Sequence, residues 1–193
     1  MSRWEPHAPR RLQQAAFELY TERGYDQTTV AEIAARAGLT ERTFFRHFAD
    51  KREVLFGGGH LFDAALLGPV DAAPASATAL EAVTAGIEAA GAVFPALDVV
   101  RHRQALIAAN PELQERELIE YAALEASLAD ALRQRGVTDT AADLAAATGV
   151  AVLRIAFHRW VTDSAQRPWT AHVTETVDGL RDLTTQASAA AHR

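Results

Sequence analysis

Apolar residues recur along this chain at steps of three and four, and no stretch alternates apolar with polar as a half-buried strand does. Leu12, Ala15, Ala16, Leu19 and Tyr20 share one face of a helix predicted over 9–23, with Phe17 beside them. Gly24 is placed to end it, since glycine takes positive φ at a helix terminus. Thr28 and Thr29 offer an N-cap for a helix over 30–37, with Glu32 in its first turn. Gly38 closes that helix and Thr40 caps the next, over 41–48. Asp50 caps a fourth carrying Val54, Leu55, Leu61 and Phe62. The run 57–59 is all glycine, costing about 1 kcal/mol per residue in a helix, so a weak or bent stretch is expected there. Gly68 to Ser76 reads as a loop, rich in Pro and Ala. Further helices are predicted over 76–94, 98–109, 111–135, 139–163 and 169–188, the third of these opened by Asn110-Pro111 and closed by Gly136. The fold class is therefore all-α.

Composition narrows the chemistry. There is no cysteine, which removes disulfides, thiolate metal sites and a cysteine nucleophile. The longest apolar stretches, such as 89–97, fall short of the roughly 20 residues of a membrane span, and the first residues lack the apolar core of a secretion signal. A soluble, cytoplasmic protein with no membrane partner is expected. The net charge of −6 argues against a nucleic-acid binder, but its distribution reverses that impression. Residues 1–56 hold nine Lys/Arg and eight Asp/Glu, whereas the remainder holds ten and seventeen. A near-neutral head on an acidic body suggests two tasks.

The head carries the informative stretch, Thr28 to Arg52. Two short helices flank a tight turn at Ala37-Gly38-Leu39, and Ile33, Ala34, Leu39, Phe44 and Phe48 supply the apolar faces that lock them. This is the helix-turn-helix plan, whose second helix enters the major groove of DNA. Its exposed positions are Thr40, Glu41, Arg42, Thr43, Arg46 and His47. Arginine bonds guanine bidentately, while threonines and backbone N–H groups at helix starts, as at Thr28 and Thr29, suit phosphates. Lys51, the single lysine, is placed for a phosphate.

Thr28-Thr29-Val30, Ile33-Ala34 and Ala37-Gly38, followed by Thr43-Phe44-Phe45-Arg46-His47-Phe48 and Lys51, resemble the N-terminal signature of TetR-family repressors. The resemblance covers residues 10–56 and implies a dimer. Each subunit would join a three-helix DNA-binding domain, here 1–50, to a helical ligand-binding and dimerisation domain, here 51–193. The chain departs from the signature at Phe45: many members have a tyrosine there whose hydroxyl bonds a phosphate, and Phe45 offers only apolar contact. Operator DNA, a small-molecule effector and a second copy are the partners implied, and repression is the usual outcome.

Arg101 to Ile107, Asn110 to Leu113 and Ala151 to Trp160 are similar to a TetR subgroup linked to acyl-CoA-like ligands, mycofactocin-type regulators among its members. An acyl chain needs an apolar tube and a CoA head needs cations. Phe94, Leu97, Leu106, Tyr121, Leu124 and Phe157 are candidates for the tube, with Arg101, Arg103 and Arg159 at its mouth, for an acyl-CoA or a fatty acid. The bland alternative is a bundle core with arginines paired to Glu115, Glu117 or Glu120. The small residues Ala145 and Gly149, with Leu144, Val152 and Ile155, suggest a dimer seam on the penultimate helix, joined by Val173, Val177, Leu180 and Leu183 on the last. No glycine-rich phosphate loop, G-x-S-x-G or H-E-x-x-H occurs, so no enzyme, catalytic residue, cofactor or metal is expected. The rival classes are a protein-binding helical adaptor and a small helical enzyme.

Overall fold

The computed structural model describes residues 7–57 and 59–190; Gly58, in the glycine run, and the segment before His7 lie outside them. The described residues contain helices and no strand. In chain order these are α1 (Ala8–Arg23), α2 (Val30–Arg36), α3 (Glu41–His47), α4 (Glu53–Phe56), α5 (Gly59–Ala72), α6 (Ala79–Ala90), α7 (Leu97–Ala109), α8 (Pro111–Gln134), α9 (Asp139–Thr162) and α10 (Trp169–Ala190).

Local chemistry explains the boundaries. Thr29 and Glu32 form a reciprocal capping box on α2, and Thr78 and Glu81 repeat it on α6. The helix expected from Asp50 onward is interrupted, with Gly57 extended between α4 and α5. Asp50 still does a capping job, its Oδ1 accepting from the backbone N–H of Arg52 at 2.8 Å and of Glu53 at 3.2 Å. The loop expected at Gly68 to Ser76 begins late, because α5 runs through Pro69 to Ala72. Leu66 and Val70, one turn apart, are completely buried there, and that packing outweighs the local cost of proline.

The chain divides into two compact units, Met1–His60 with Asp98–Glu120, and Leu61–Leu97 with Tyr121–Arg193. In the first, Leu12, Leu19, Tyr20, Ile33, Phe44 and Val54 make one core, completed by Ile107 from α7 and Leu113 from α8. In the second, α9 packs against α6 and α10. By length and composition α9 is apolar enough to cross a membrane; 44% of that window is buried, as a central bundle helix requires. Gly149 on α9 is where α6 comes close: a Cβ there would lie 2.3 Å from Val83 Cγ1. Gly149, Val152 and Ala156 are buried within the protomer, as are Val173 and Val177. Of the residues expected at the seam, Gly149, Val152, Val173 and Val177 therefore pack inside the protomer. The apolar residues left outside on α9 are Leu144 (64% exposed) and Ile155 (52%), with Ala147 and Ala151 between them.

Candidate nucleic-acid interface

Three helices of the first unit assemble the helix-turn-helix. The turn between α2 and α3 is built by Gly38, whose φ of +66° puts it in the left-handed region. Its N–H donates to Ala35 O at 2.9 Å, and Leu39 N–H donates to Ala34 O at 2.8 Å, closing α2. Arg11, from α1, donates to Ala37 O and reaches Gly38 O at 3.5 Å, so a guanidinium ties α1 to the turn. A side chain at position 38 would also crowd that guanidinium, since a Cβ there would sit 2.9 Å from Arg11 Nη2. Thr40 then caps α3, its Oγ1 accepting from Thr43 N–H at 3.2 Å. Phe44 is buried and packs against Phe48, with ring centroids 5.6 Å apart, which fixes the rotation of α3 about its axis.

That rotation turns Glu41, Arg42, Phe45, Arg46 and His47 outward. Phe45 is 55% exposed, an apolar side chain with a face for sugar or base methyl contact. Among the described residues Arg42 has no intramolecular partner, and Arg46 reaches only the ring of His47, at 3.4 Å. Most guanidiniums elsewhere are committed: Arg36 to Glu22 and Glu18, Arg23 to Glu32, Arg52 to Asp50, Arg133 to three aspartates. Cations left unpaired on the recognition helix are what an anionic duplex needs.

Two expected DNA contacts have other employment. Thr28 is 1% exposed and its hydroxyl donates to Gly24 O at 2.8 Å; it secures the α1–α2 link and offers nothing to a phosphate. Thr29 remains exposed at the start of α2, with its hydroxyl in the capping box. The Lys51 ammonium donates to Tyr25 O at 2.9 Å and Thr28 O at 3.3 Å, and stands 4.1 Å over the Tyr25 ring. In return, Tyr20 donates its phenolic hydrogen to Lys51 O at 2.5 Å, and burial pushes that phenol well above its ordinary pKa. Lys51 therefore clamps the segment after α3 onto the α1–α2 link. Lys51→Ala should lower the thermal midpoint, since unpaired part-buried carbonyls cost about 1–3 kcal/mol. A residue that only touched phosphate would leave the midpoint where it was.

The effector residues expected from sequence are split. Arg101, Arg103 and Leu106 belong to the first unit; Phe94, Leu97, Tyr121, Leu124, Phe157 and Arg159 to the second. Leu106 packs against the core of the first unit. Arg103 donates to Leu55 O at 3.4 Å and lies over the Phe56 ring at 4.8 Å. Arg159 pairs with Glu175 at 2.9 Å, as the bundle alternative expects, though with a different glutamate. Phe94 is the centre of an aromatic group, within 5.1–5.7 Å of the rings of Phe62, Phe157, Trp160 and Trp169. Tyr121 meets Arg154, and Leu124 is buried. Among the described residues no group of His, Cys, Asp and Glu is placed to hold a metal.

Sequence reasoning missed Arg10 and Arg11. Their signal was their position: two cations in the first turn of α1 run against the helix dipole, and no acidic residue is there to offset them.

A three-helix unit presenting an exposed, cationic second helix across a glycine turn defines a DNA-binding transcriptional regulator. Residues 12–56 match the model for bacterial regulatory proteins of the tetR family. A Mycobacterium tuberculosis protein named as a transcriptional regulator of mycofactocin biosynthesis is 28% identical over 162 residues, 81% of each chain. The crystal structure of a transcriptional regulator from Pseudomonas aeruginosa PAO1 is similar at a TM-score of 0.63 and 25% identity, covering 93% of each chain. Thermus thermophilus FadR, a TetR-family repressor solved with lauroyl-CoA, shares the fold at a TM-score of 0.54 and 23% identity, over 88% of this chain and 91% of that one. Residues 12–56 thus carry the DNA-binding domain of the tetR family, and over most of its length the chain is similar to transcriptional regulators.

Proposed function

We propose that this protein is a ligand-responsive repressor that holds operator DNA as a homodimer and is released by an elongated, mostly apolar acid. The observation that carries the DNA half is α3, whose Arg42 and Arg46 stand without anionic partners beside exposed Thr40, Glu41, Phe45 and His47. Thr43, half-buried, supports Thr40 at 3.1 Å between hydroxyls. Two such helices in a dimer must stand about 34–36 Å apart to enter successive major grooves. The outward stripe of Leu144, Ala147, Ala151 and Ile155 on α9, with Leu183 on α10, is an apolar surface for the second copy. The unit formed by residues up to His60 with Asp98–Glu120 reads DNA, a wider set than the 1–50 expected from sequence, and the other unit carries ligand and dimer contacts. The regulator works in the cytoplasm and catalyses nothing.

The effector lead is an acyl-CoA, from the lauroyl-CoA held by FadR. The aromatic group around Phe94 supports an apolar ligand. It favours a flat aromatic molecule as the second reading, because rings stack on rings. Arg103 and Arg159 are occupied within the protomer, so the reading rests on the apolar part of the ligand and not on a head-group clamp. Calorimetry and gel shift with acyl-CoAs of increasing chain length test it. Affinity should climb by about 0.8 kcal/mol per buried methylene until the site is full. The same ligands should free DNA at concentrations near their binding constants, since linkage is reciprocal. A flat response to chain length, or tighter binding of planar aromatics, removes the acyl reading and leaves the DNA reading intact.

A further inference from the structure

We infer that Arg10, on the first turn of α1, is a DNA-backbone contact that lies outside the helix-turn-helix and lines a cavity beside its turn. The inference rests on the DNA-binding reading above.

A cavity of about 600 Å³ opens in the first unit, lined by Arg10, Arg11 and Arg36 and by the turn residues Ala37 and Gly38, with His7 and Glu18 at its wall. The turn is the segment that delivers the chain into α3, so whatever occupies the cavity lies beside the start of the recognition helix. The three guanidiniums have different obligations. Arg11 is spent on the carbonyls of Ala37 and Gly38. Arg36 is spent on Glu22 at 2.8 Å and Glu18 at 3.4 Å. Glu18, the carboxylate on the wall, is thereby covered by Arg36, and it also accepts from Gln14 at 2.8 Å. Arg10 is exposed and has no partner among the described residues. Among the described residues it shares that condition with Arg42 on α3, while Arg46 has only a histidine neighbour.

An unpaired guanidinium in the first turn of a helix is held against the local dipole. No acidic residue in that turn relieves it. What relieves it is an external anion, and the anion that passes this place when α3 enters a groove is the phosphodiester backbone. Arg11 contributes indirectly: by tying α1 to the turn it fixes Arg10 relative to α3. Arg11 is thus a positioning residue, and Arg10 the contact. Such a contact carries no sequence information and adds one released counterion to binding.

The test uses the full-length protein and a fluorescent duplex of about 30 base pairs of mixed sequence, with binding followed by anisotropy over a salt series. Wild type and Arg10→Ala are compared, with Arg10→Lys as rescue and Arg23→Ala, a cation paired to Glu32, as control. Loss of one phosphate contact should reduce the slope of log affinity against log salt by about 0.9, and weaken binding about five- to ten-fold near 0.1 M salt. Arg10→Lys should restore the slope, Arg23→Ala should leave it alone, and the thermal midpoint of Arg10→Ala should match wild type. An unchanged slope in Arg10→Ala, with wild type binding normally, overturns this inference and spares the proposed function. A wild type that fails to bind the duplex at low salt overturns both. A thermal shift by inorganic phosphate over chloride at equal ionic strength, lost in Arg10→Ala with DNA binding untouched, would assign the cavity to a small free anion and overturn the backbone role.

Discussion

Gly149→Leu is expected to unfold the second unit at a markedly lower temperature, without splitting a dimer. A Cβ at 149 already falls 2.3 Å from Val83 Cγ1, well inside van der Waals contact, and leucine adds three further carbons. Val83 is completely buried and β-branched, so it has little freedom to rotate away. Overpacking of this kind costs about 3 kcal/mol, outweighing the roughly 1 kcal/mol that leaving glycine gains in helix propensity. For a chain of this size the net loss of about 2 kcal/mol should lower the midpoint by about 4–8 °C in calorimetry. The contrasting change is Ile155→Asp on the exposed stripe of α9. It should reduce the light-scattering mass from twice 20.8 kDa to that value while the helices stay folded. If instead Gly149→Leu dissociates a well-folded dimer, the close contact with Val83 is not what position 149 serves.

Arg42→Ala is expected to relax sequence discrimination as well as weaken binding. Arg42 stands on the second residue of α3, exposed and with no intramolecular partner to lose. Its removal should leave stability unchanged, which makes the DNA effect clean to read. A bidentate contact to a base edge is worth about 1–3 kcal/mol of discrimination, or roughly 5- to 150-fold between the preferred base and its substitutes at one position. Selection of bound sequences from a random pool, wild type against variant, measures this directly. The variant should lose preference at one position of each half-site and keep the rest. Equal weakening across all sequences would make Arg42 a phosphate contact and shift base reading to Arg46 or Thr43.

The helix-turn-helix was legible because its determinants are local. Thr29, Glu32, Gly38 and Thr40 act on residues within a few positions of themselves, and the Ile33, Phe44, Phe48 pattern follows from helical spacing. What the sequence hid depends on partners far along the chain. Lys51 and Thr28 look like solvent-facing polar residues at DNA-binding positions until Tyr25 and Gly24 are placed beside them. Gly149 was legible as a point of close helix approach, but whether Val83 or a second copy approaches is a tertiary fact. The helix through Pro69 was hidden for the same reason, since its local signals oppose the packing that sustains it. The effector residues were read as one tube from their apolarity, which says that they avoid water and not with whom they pack. Leu106 is half-buried against the core of the first unit, and Phe94 is half-buried beside Trp160 and Trp169.

The first unit is discontinuous in sequence, since Asp98–Glu120 folds with the N-terminal helices. Ile107 and Leu113 fill its core, Glu112 accepts from the Tyr25 hydroxyl at 2.9 Å, and Arg116 reaches Glu53 at 2.5 Å. Specificity therefore does not travel as a cassette. A graft of the first 56 residues onto another regulator would arrive with a hole where Ile107 and Leu113 belong, and with Tyr25 and Glu53 facing strangers. The exchangeable piece is two segments, and the second lies in the half of the chain that sequence alone assigns to the ligand. Where related regulators have traded their DNA preferences by recombination, the surviving crossovers should carry the stretch around 98–120 along with the head, or show matched changes at these positions.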